Sequence, residues 1–213
     1  MLVCGIDEVG RGALAGPILA ACALFKFDDA VNMKTPPIVG LADSKSFATE
    51  RKREAVWETI LRSPHLLDFG IGECSVEEIN ECGIEWCNRT IFQRAIICMK
   101  HAPDIIYVDG DNPIVGWPQE KQIVEPKADA KYWPVSAASI IAKVIRDRLM
   151  NELDRLTPGY AWHSNKGYGS TLHQMRLKLN GPSEQHRKHF VRKILNRKAF
   201  SDQSGDQPRM KQT

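Results

Sequence analysis

The chain has 213 residues, 43% hydrophobic and 26% charged, which suits one compact domain with a small appendage and is too short for two full domains. Its formal charge of +3 joins two unlike parts: residues 1–162 hold 18 basic and 23 acidic side chains, whereas residues 163–200 hold nine basic and one acidic, with four of the six histidines. No run approaches about 18 apolar residues, the opening MLVCGIDE lacks a secretory pattern, and the six cysteines form no CxxC pair. A membrane span, an export signal and a zinc site are therefore not expected, and the thiols read as reduced packing residues of a cytoplasmic protein.

Leu2 to Val9, short and apolar, reads as a strand. The run Gly10-Arg11-Gly12-Ala13-Leu14-Ala15-Gly16-Pro17 breaks it, and the alanine-rich Ile18 to Phe27 reads as a second strand returning beside the first. Residues 28–47, with Thr35-Pro36-Pro37, read as a loop. Thr49 is placed to cap a helix through Ala55, Val56, Ile60 and Leu61, which Ser63-Pro64 stops. Leu67 to Cys74 reads as a strand, and Ser75 to Glu78 has capping-box spacing for a helix that runs on through Ile91, Ala95, Ile96 and Met99, with a break at Gly83. Ile105 to Val108 is a buried strand ending in Asp109-Gly110, and Lys121 to Val124 is a further strand. Pro134 suits the first turn of a long helix containing Val135 to Leu153. After Pro158-Gly159 come a glycine-rich loop and two short basic helices separated by Gly181-Pro182, and Ser201 to Thr213 reads as a disordered tail. Strands before and between helices describe an α/β domain with a mixed sheet.

Asp7 and Glu8 end an apolar strand, where adjacent side chains face opposite sides and an unpaired carboxylate on the covered side is costly. Asp109 ends the most apolar strand; taken alone, it reads better as the start of an Asp-Gly turn. Carboxylates grouped at strand ends line ligand crevices and suit Mg²⁺ or Mn²⁺. The loop Gly10-Arg11-Gly12 lets backbone N–H groups approach a ligand, with an arginine able to pair with phosphate. A dinucleotide fingerprint fits it poorly, because a strand-like run follows the loop where that motif opens a helix. Ser139 and Lys143, at i and i+4, can offer hydroxyl and ammonium to a phosphate.

The run Gly5-Ile6-Asp7-Glu8-Val9-Gly10-Arg11-Gly12-Ala13-Leu14-Ala15-Gly16-Pro17 resembles the opening signature of the ribonuclease HII family. In order, Asp43-Ser44-Lys45, Tyr107-Val108-Asp109-Gly110, Lys127-Ala128-Asp129, Val135 to Val144, Lys166-Gly167-Tyr168-Gly169, and Gly181-Pro182 with His186-Arg187 resemble its later motifs, over roughly residues 2–190. The resemblance implies a ribonuclease H-like fold at 1–160, a mixed five-stranded sheet flanked by helices, with a basic helical substrate-binding extension at 161–200. It implies an endonuclease that hydrolyses the RNA strand of RNA/DNA hybrids and cuts 5′ of single ribonucleotides in duplex DNA, as in ribonucleotide excision. Asp7, Glu8, Asp109 and Asp129 fall on its carboxylates for two divalent ions, Mg²⁺ or Mn²⁺, and the ends left are 5′-phosphate and 3′-hydroxyl. Asp147 is a rival for the fourth place, disfavoured because it lies four residues after Lys143 and beside two arginines, where a helix-surface ion pair explains it.

By the same resemblance Gly10, Arg11, Gly12 and Tyr168 read the 2′-hydroxyl at an RNA-to-DNA junction, and Arg11 marks the HII rather than the HIII type. Lys45, Ser139, Lys143 and Arg187 are candidate phosphate contacts, and Lys188, Arg192 and Lys193 would help hold the duplex backbone. Ser46, Asn165 and the pair Gly83-Ile84 depart from the family pattern, with Asn88 about one turn after that pair, and residues 28–39 look like an insertion. The expected partners are hybrid and ribonucleotide-containing DNA, no membrane, and a monomeric state; no reading of a replication clamp follows. The basic segment should attract polyanions by counterion release.

Overall fold

The computed structural model describes residues 1–27, 32–38, 40–41 and 49–196. Lys45, Ser46, residues 28–31 and 39 of the segment 28–39, and the expected tail 201–213 lie outside the described residues. Five strands, β1 (Leu2–Val9), β2 (Ile18–Lys26), β3 (Leu66–Cys74), β4 (Ile105–Asp109) and β5 (Gln122–Glu125), form one sheet in the order β3-β2-β1-β4-β5. β1 pairs antiparallel with β2, and β2 with β3; β1–β4 and β4–β5 are parallel. The sheet is therefore mixed, with both faces covered.

Alternation along the strands sorts the core into two layers. Val3, Ala21, Ala23 and Phe25 face α1 (Glu50–Leu61) and the long α4 (Trp133–Leu156), packing with Trp57, Ile60, Ala137, Ala138 and Ile141. Cys4, Ile6, Ala20, Cys22 and Leu24 face α3 (Ile84–Ile97), packing with Ile91 and Ala95. Thr49 caps α1 by accepting the Lys52 N–H, and Leu61, expected in the apolar stripe, is exposed while Trp57 takes its place inside. Ser75 and Glu78 form a reciprocal capping box on α2 (Val76–Cys82), and Gly83 at φ 84° separates α2 from α3. All six cysteines are free.

Two helices lie unusually close to the sheet. A Cβ on Gly72 would come within 1.9 Å of the Ile91 carbonyl oxygen of α3. One on Gly5 would come within 2.1 Å of the Pro134 carbonyl carbon of α4, so β1 meets α4 backbone to backbone at the helix's first turn. From that contact Asp7 is two residues, about 6.6 Å, along the strand. Ser139 is five residues, about 7.5 Å, along the helix. The glycine thus sets Ser139 over Asp7.

Beyond α4 the chain forms α5 (Trp162–Asn165), α6 (Thr171–Asn180) and α7 (Lys188–Leu195). The stretch expected as a glycine-rich loop contains α5 and two non-glycine residues at positive φ, Ala161 and Lys166. This part is held to the loop after β1 by two buried guanidinium groups. Arg146 donates to the carbonyls of Ala15, Pro17 and Lys166, and Arg187 to those of Arg11 and Gly16.

Candidate active site

Parallel pairing puts Ile6 opposite Val108, so Asp7 and Asp109 are the next pair along β1 and β4, side by side on the α4 face. Glu8, one residue on, points to the opposite face at the same open strand end. Asp7 is buried, and its carboxyl is pushed up to about 8 by that burial, with Asp109, Glu8 and Asp129 adding repulsion and the Ser139 hydroxyl opposing through a hydrogen bond. Burial also raises Glu8, helped by Asp109 and opposed by Arg11.

Asp109 is raised by burial and by Asp129, while its Oδ1 accepts the Ala128 N–H at 2.7 Å and the Lys127 N–H also bonds its carboxylate. Those bonds hold the tight turn Ala128–Ala130, entered through Lys127 at φ 60°, and the turn carries Asp129 toward the strand ends. Glu8, Asp109 and Asp129, from β1, β4 and the turn before α4, therefore all act on Asp7. Among the described residues no three of the four close to a common coordinating point. The donor chemistry fits divalent cations: all are hard oxygens, and no basic side chain is among the groups that set the charge of Asp7.

Asp147 belongs elsewhere. It is 2% exposed, with Lys143 Nζ at 2.6 Å and Arg53 Nη2 at 3.0 Å. The pair expected on the helix surface is thus a buried one, and it is not among the groups acting on Asp7.

The loop after β1 turns at Gly10, φ 90°, with its carbonyls directed inward to Arg146 and Arg187. Exposed Arg11 and Gly12 leave their N–H groups without an acceptor among the described residues. The Arg11 side chain reaches Glu85 of α3 at 2.7 Å in an exposed ion pair, a weak tether that a phosphate can displace.

Leu14 and Ala15 donate to the Gly167 carbonyl, which places Tyr168 beside this loop. The Tyr168 ring, 36% exposed, lies 5.3 Å from the Arg146 guanidinium and 5.8 Å from Lys143 Nζ. One face of α4 therefore serves in turn Asp7 through Ser139, and Tyr168 through Lys143 and Arg146.

The structure corrects the expectation for Arg187. It is fully buried, with Nε and Nη1 donating to the Gly16 and Arg11 carbonyls and Nη2 buried without a partner among the described residues, so it shapes the loop and is not exposed to lie along a phosphate backbone. Lys166 is also buried, reaching Glu50 Oε2 at 3.3 Å. Exposed positive charge in the described part of the basic segment comes from Arg176, Lys178, Lys188, Arg192 and Lys193. Sequence reasoning missed Arg146, although a signal existed: Ser139, Ala142, Arg146 and Met150 share one helix face, and only Arg146 is charged.

The family model for ribonuclease HII matches residues 4–193. The chain belongs to the ribonuclease HII family. Ribonuclease HII of Wolbachia pipientis subsp. Culex pipiens (strain wPip) is 41% identical over 191 residues, covering 89% of this chain and 90% of the relative. That of Vibrio cholerae serotype O1 is 39% identical, over 89% and 86%. Among solved structures, ribonuclease H2 from Pyrococcus horikoshii OT3 is 28% identical with a TM-score of 0.71, over 92% of this chain and 98% of that one. The ribonuclease HII of Archaeoglobus fulgidus, solved in complex with PCNA, is 25% identical with a TM-score of 0.68, over 93% and 98%. Membership makes this protein an endonuclease and hydrolase with ribonuclease H activity on RNA/DNA hybrids. No helix among its described residues is long and apolar enough to cross a membrane.

Proposed function

We propose that this protein, besides hydrolysing the RNA of hybrids, cuts 5′ of a single ribonucleotide embedded in duplex DNA and leaves 5′-phosphate and 3′-hydroxyl ends. The observation that carries the reading is buried Asp7, ringed by Glu8, Asp109 and Asp129 and lacking any basic neighbour among the groups that set its charge. Asp7, Glu8, Asp109 and Asp129 would hold two Mg²⁺ or Mn²⁺ ions, which when bound supply Lewis acidity for activating water and offsetting charge on the leaving oxygen.

The protein's own groups orient that set. Ser139 fixes the Asp7 carboxylate, and Asp109, clamped by the Ala128 N–H, fixes the turn that presents Asp129. The free N–H groups of Arg11 and Gly12, with Tyr168 beside them, are suited to a 2′-hydroxyl and its adjoining phosphate, the features that separate RNA from DNA. Lys143 would neutralise a phosphate beside Tyr168, and Lys45 is proposed as a phosphate contact on family resemblance alone. Lys188, Arg192 and Lys193 would hold the duplex backbone of a substrate bound across residues 161–200.

The test is cleavage of a duplex containing one ribonucleotide with Mg²⁺, with Mn²⁺ or with a chelator. Activity should require the ion and fall to background in Asp7→Asn, and an Asp7→Asn protein as active as the wild type would overturn the reading. Tyr168→Ala should lower cleavage at the single ribonucleotide more than on a long hybrid, and equal losses would remove Tyr168 from recognition.

A further inference from the structure

We infer that His173 and His186 form a neutral histidine pair, each ring held in one tautomer, that positions the backbone of Tyr168 for recognition of the ribonucleotide. The inference rests on the reading of Tyr168 given above.

The hydrogen bonds assign the protons. His173 Nδ1 lies 2.9 Å from the Tyr168 carbonyl oxygen, which can only accept, so His173 carries its proton on Nδ1. Its Nε2 is then an acceptor, and it receives the Trp162 indole N–H at 3.1 Å. His186 Nε2 also lies 3.1 Å from that nitrogen, so His186 is protonated on Nε2 and donates. The remaining nitrogen, His186 Nδ1, accepts the Ser183 N–H at 3.0 Å and is 2.9 Å from the Ser183 hydroxyl. Each ring position has a partner of the right sense, and only when both rings are neutral.

This network ends on the turn that bears Tyr168. The Tyr168 carbonyl accepts from His173 and from the Ser170 N–H at 2.8 Å, while its own N–H donates to Asn165. The turn needs such support, because Lys166 at φ 50° and Gly167 at φ 83° both occupy the left-handed region, which is unfavourable for lysine. His186 is also followed at once by Arg187, which gathers the Arg11 and Gly16 carbonyls. The short segment Ser183–Arg187 therefore holds both halves of the reading surface, the tyrosine through the histidines and the glycine loop through the arginine.

A proton on either ring would break the pattern. On His173 it would bring a third N–H toward two existing donors, and on His186 it would face the Ser183 N–H. The titratable groups that meet the rings are each other and Tyr160, whose hydroxyl donates to the Gly181 carbonyl at 2.9 Å. Among the described residues no carboxylate acts on either ring to compensate a charge. Burial holds His173 below its usual range and takes His186 to about 4, with His173 contributing.

The experiment combines a double-mutant cycle with a measurement on the wild type. His173→Phe, which keeps an aromatic ring and loses the donor, should lower kcat/KM on a single-ribonucleotide duplex about tenfold when Tyr168 is present. In the Tyr168→Ala background the same change should cost less than about twofold, since coupled residues are not additive. Additive losses would overturn the positioning role while leaving Tyr168 as the reader. A Tyr168→Ala protein as active as the wild type would instead remove the reader, and the inference with it. If His173→Phe does not fold, nitrogen NMR of the wild type at neutral pH decides. Protons on His173 Nδ1 and His186 Nε2 support the pair, and the opposite tautomers or a charged ring refute it.

Discussion

Replacing Gly5 by alanine adds one methyl group where α4 touches β1. That Cβ would sit 2.1 Å from the Pro134 carbonyl carbon, 2.2 Å from its oxygen and 2.3 Å from the Val135 nitrogen. Ordinary contacts begin near 3.4 Å, and all three atoms are helix backbone, so no rotamer change relieves the overlap. The first turn of α4 must retreat by roughly 1 Å, or the strand must yield as much. Overpacking of this kind costs about 1–3 kcal/mol, a fall in Tm of roughly 2–10 °C for a chain of this size.

The same retreat takes Ser139 off Asp7, so kcat should fall by about 10²-fold even in the folded fraction, as angstrom-scale misplacement does. Gly12→Ala is the contrast: nothing lies within 4 Å of its Cβ, so the urea midpoint should not move, whereas substrate affinity should fall because the methyl stands on the exposed loop. Urea unfolding followed by single-turnover cleavage measures both proteins. Gly5→Ala with wild-type stability and kcat would refute the backbone contact as the device that aligns Ser139 with Asp7.

In chelator, Asp7 should make stability depend on pH. Its native pKa, about 8, lies above the unfolded one, so its contribution is fully present below the unfolded value and is lost as pH rises toward 8. Between about pH 4 and 7 the loss is at most roughly 4 kcal/mol, and Asp7→Asn should remove it in urea titrations. His186 acts with opposite sign: its native pKa, about 4, is depressed, so its contribution is present above about pH 6.5 and lost as pH falls toward 4, a limb that Asp7→Asn should leave in place. Asp147→Asn should destabilise by about 3–5 kcal/mol, removing the buried negative charge that Lys143 and Arg53 both meet, and keep metal-dependent cleavage in the folded protein, whereas Asp129→Asn should lose cleavage and keep the fold. Neutralising Lys188, Arg192 and Lys193 should flatten the slope of log affinity against log salt by about 0.9 per lost contact. Arg187→Gln should instead lower stability, and a change confined to the salt slope would contradict its burial.

Local chemistry is written openly in this sequence. Apolar runs bounded by glycine and proline mark β1 and β2, Thr49 and the Ser75–Glu78 box mark helix starts, and Gly83 marks a break, because each is decided by residues within a turn of one another. The carboxylates Asp7, Glu8 and Asp109 stand out for the same reason, as polar ends on apolar strands. The net charge of residues 163–200 is equally plain, yet its meaning is not. Lys166, His173, His186 and Arg187 lie inside the protein, and a count of charges cannot separate a buried staple from an exposed grip.

Tertiary structure decided what distant residues do to one another. Parallel pairing of β1 with β4 sets Asp7 beside Asp109, 102 positions on in the chain, and the Asp109–Ala128 bond carries Asp129 to them. Asp147, on the same long helix, is turned instead toward Arg53, a partner 94 residues away in sequence. Arg146 reads as one more helical charge until five backbone carbonyls, shared with Arg187, reveal what the two guanidinium groups hold. Hydrophobic period and capping act over one or two turns and so can be read along the chain. The pKa of Asp7 and the protons of His173 and His186 depend on which surfaces meet, and only the packed fold sets that.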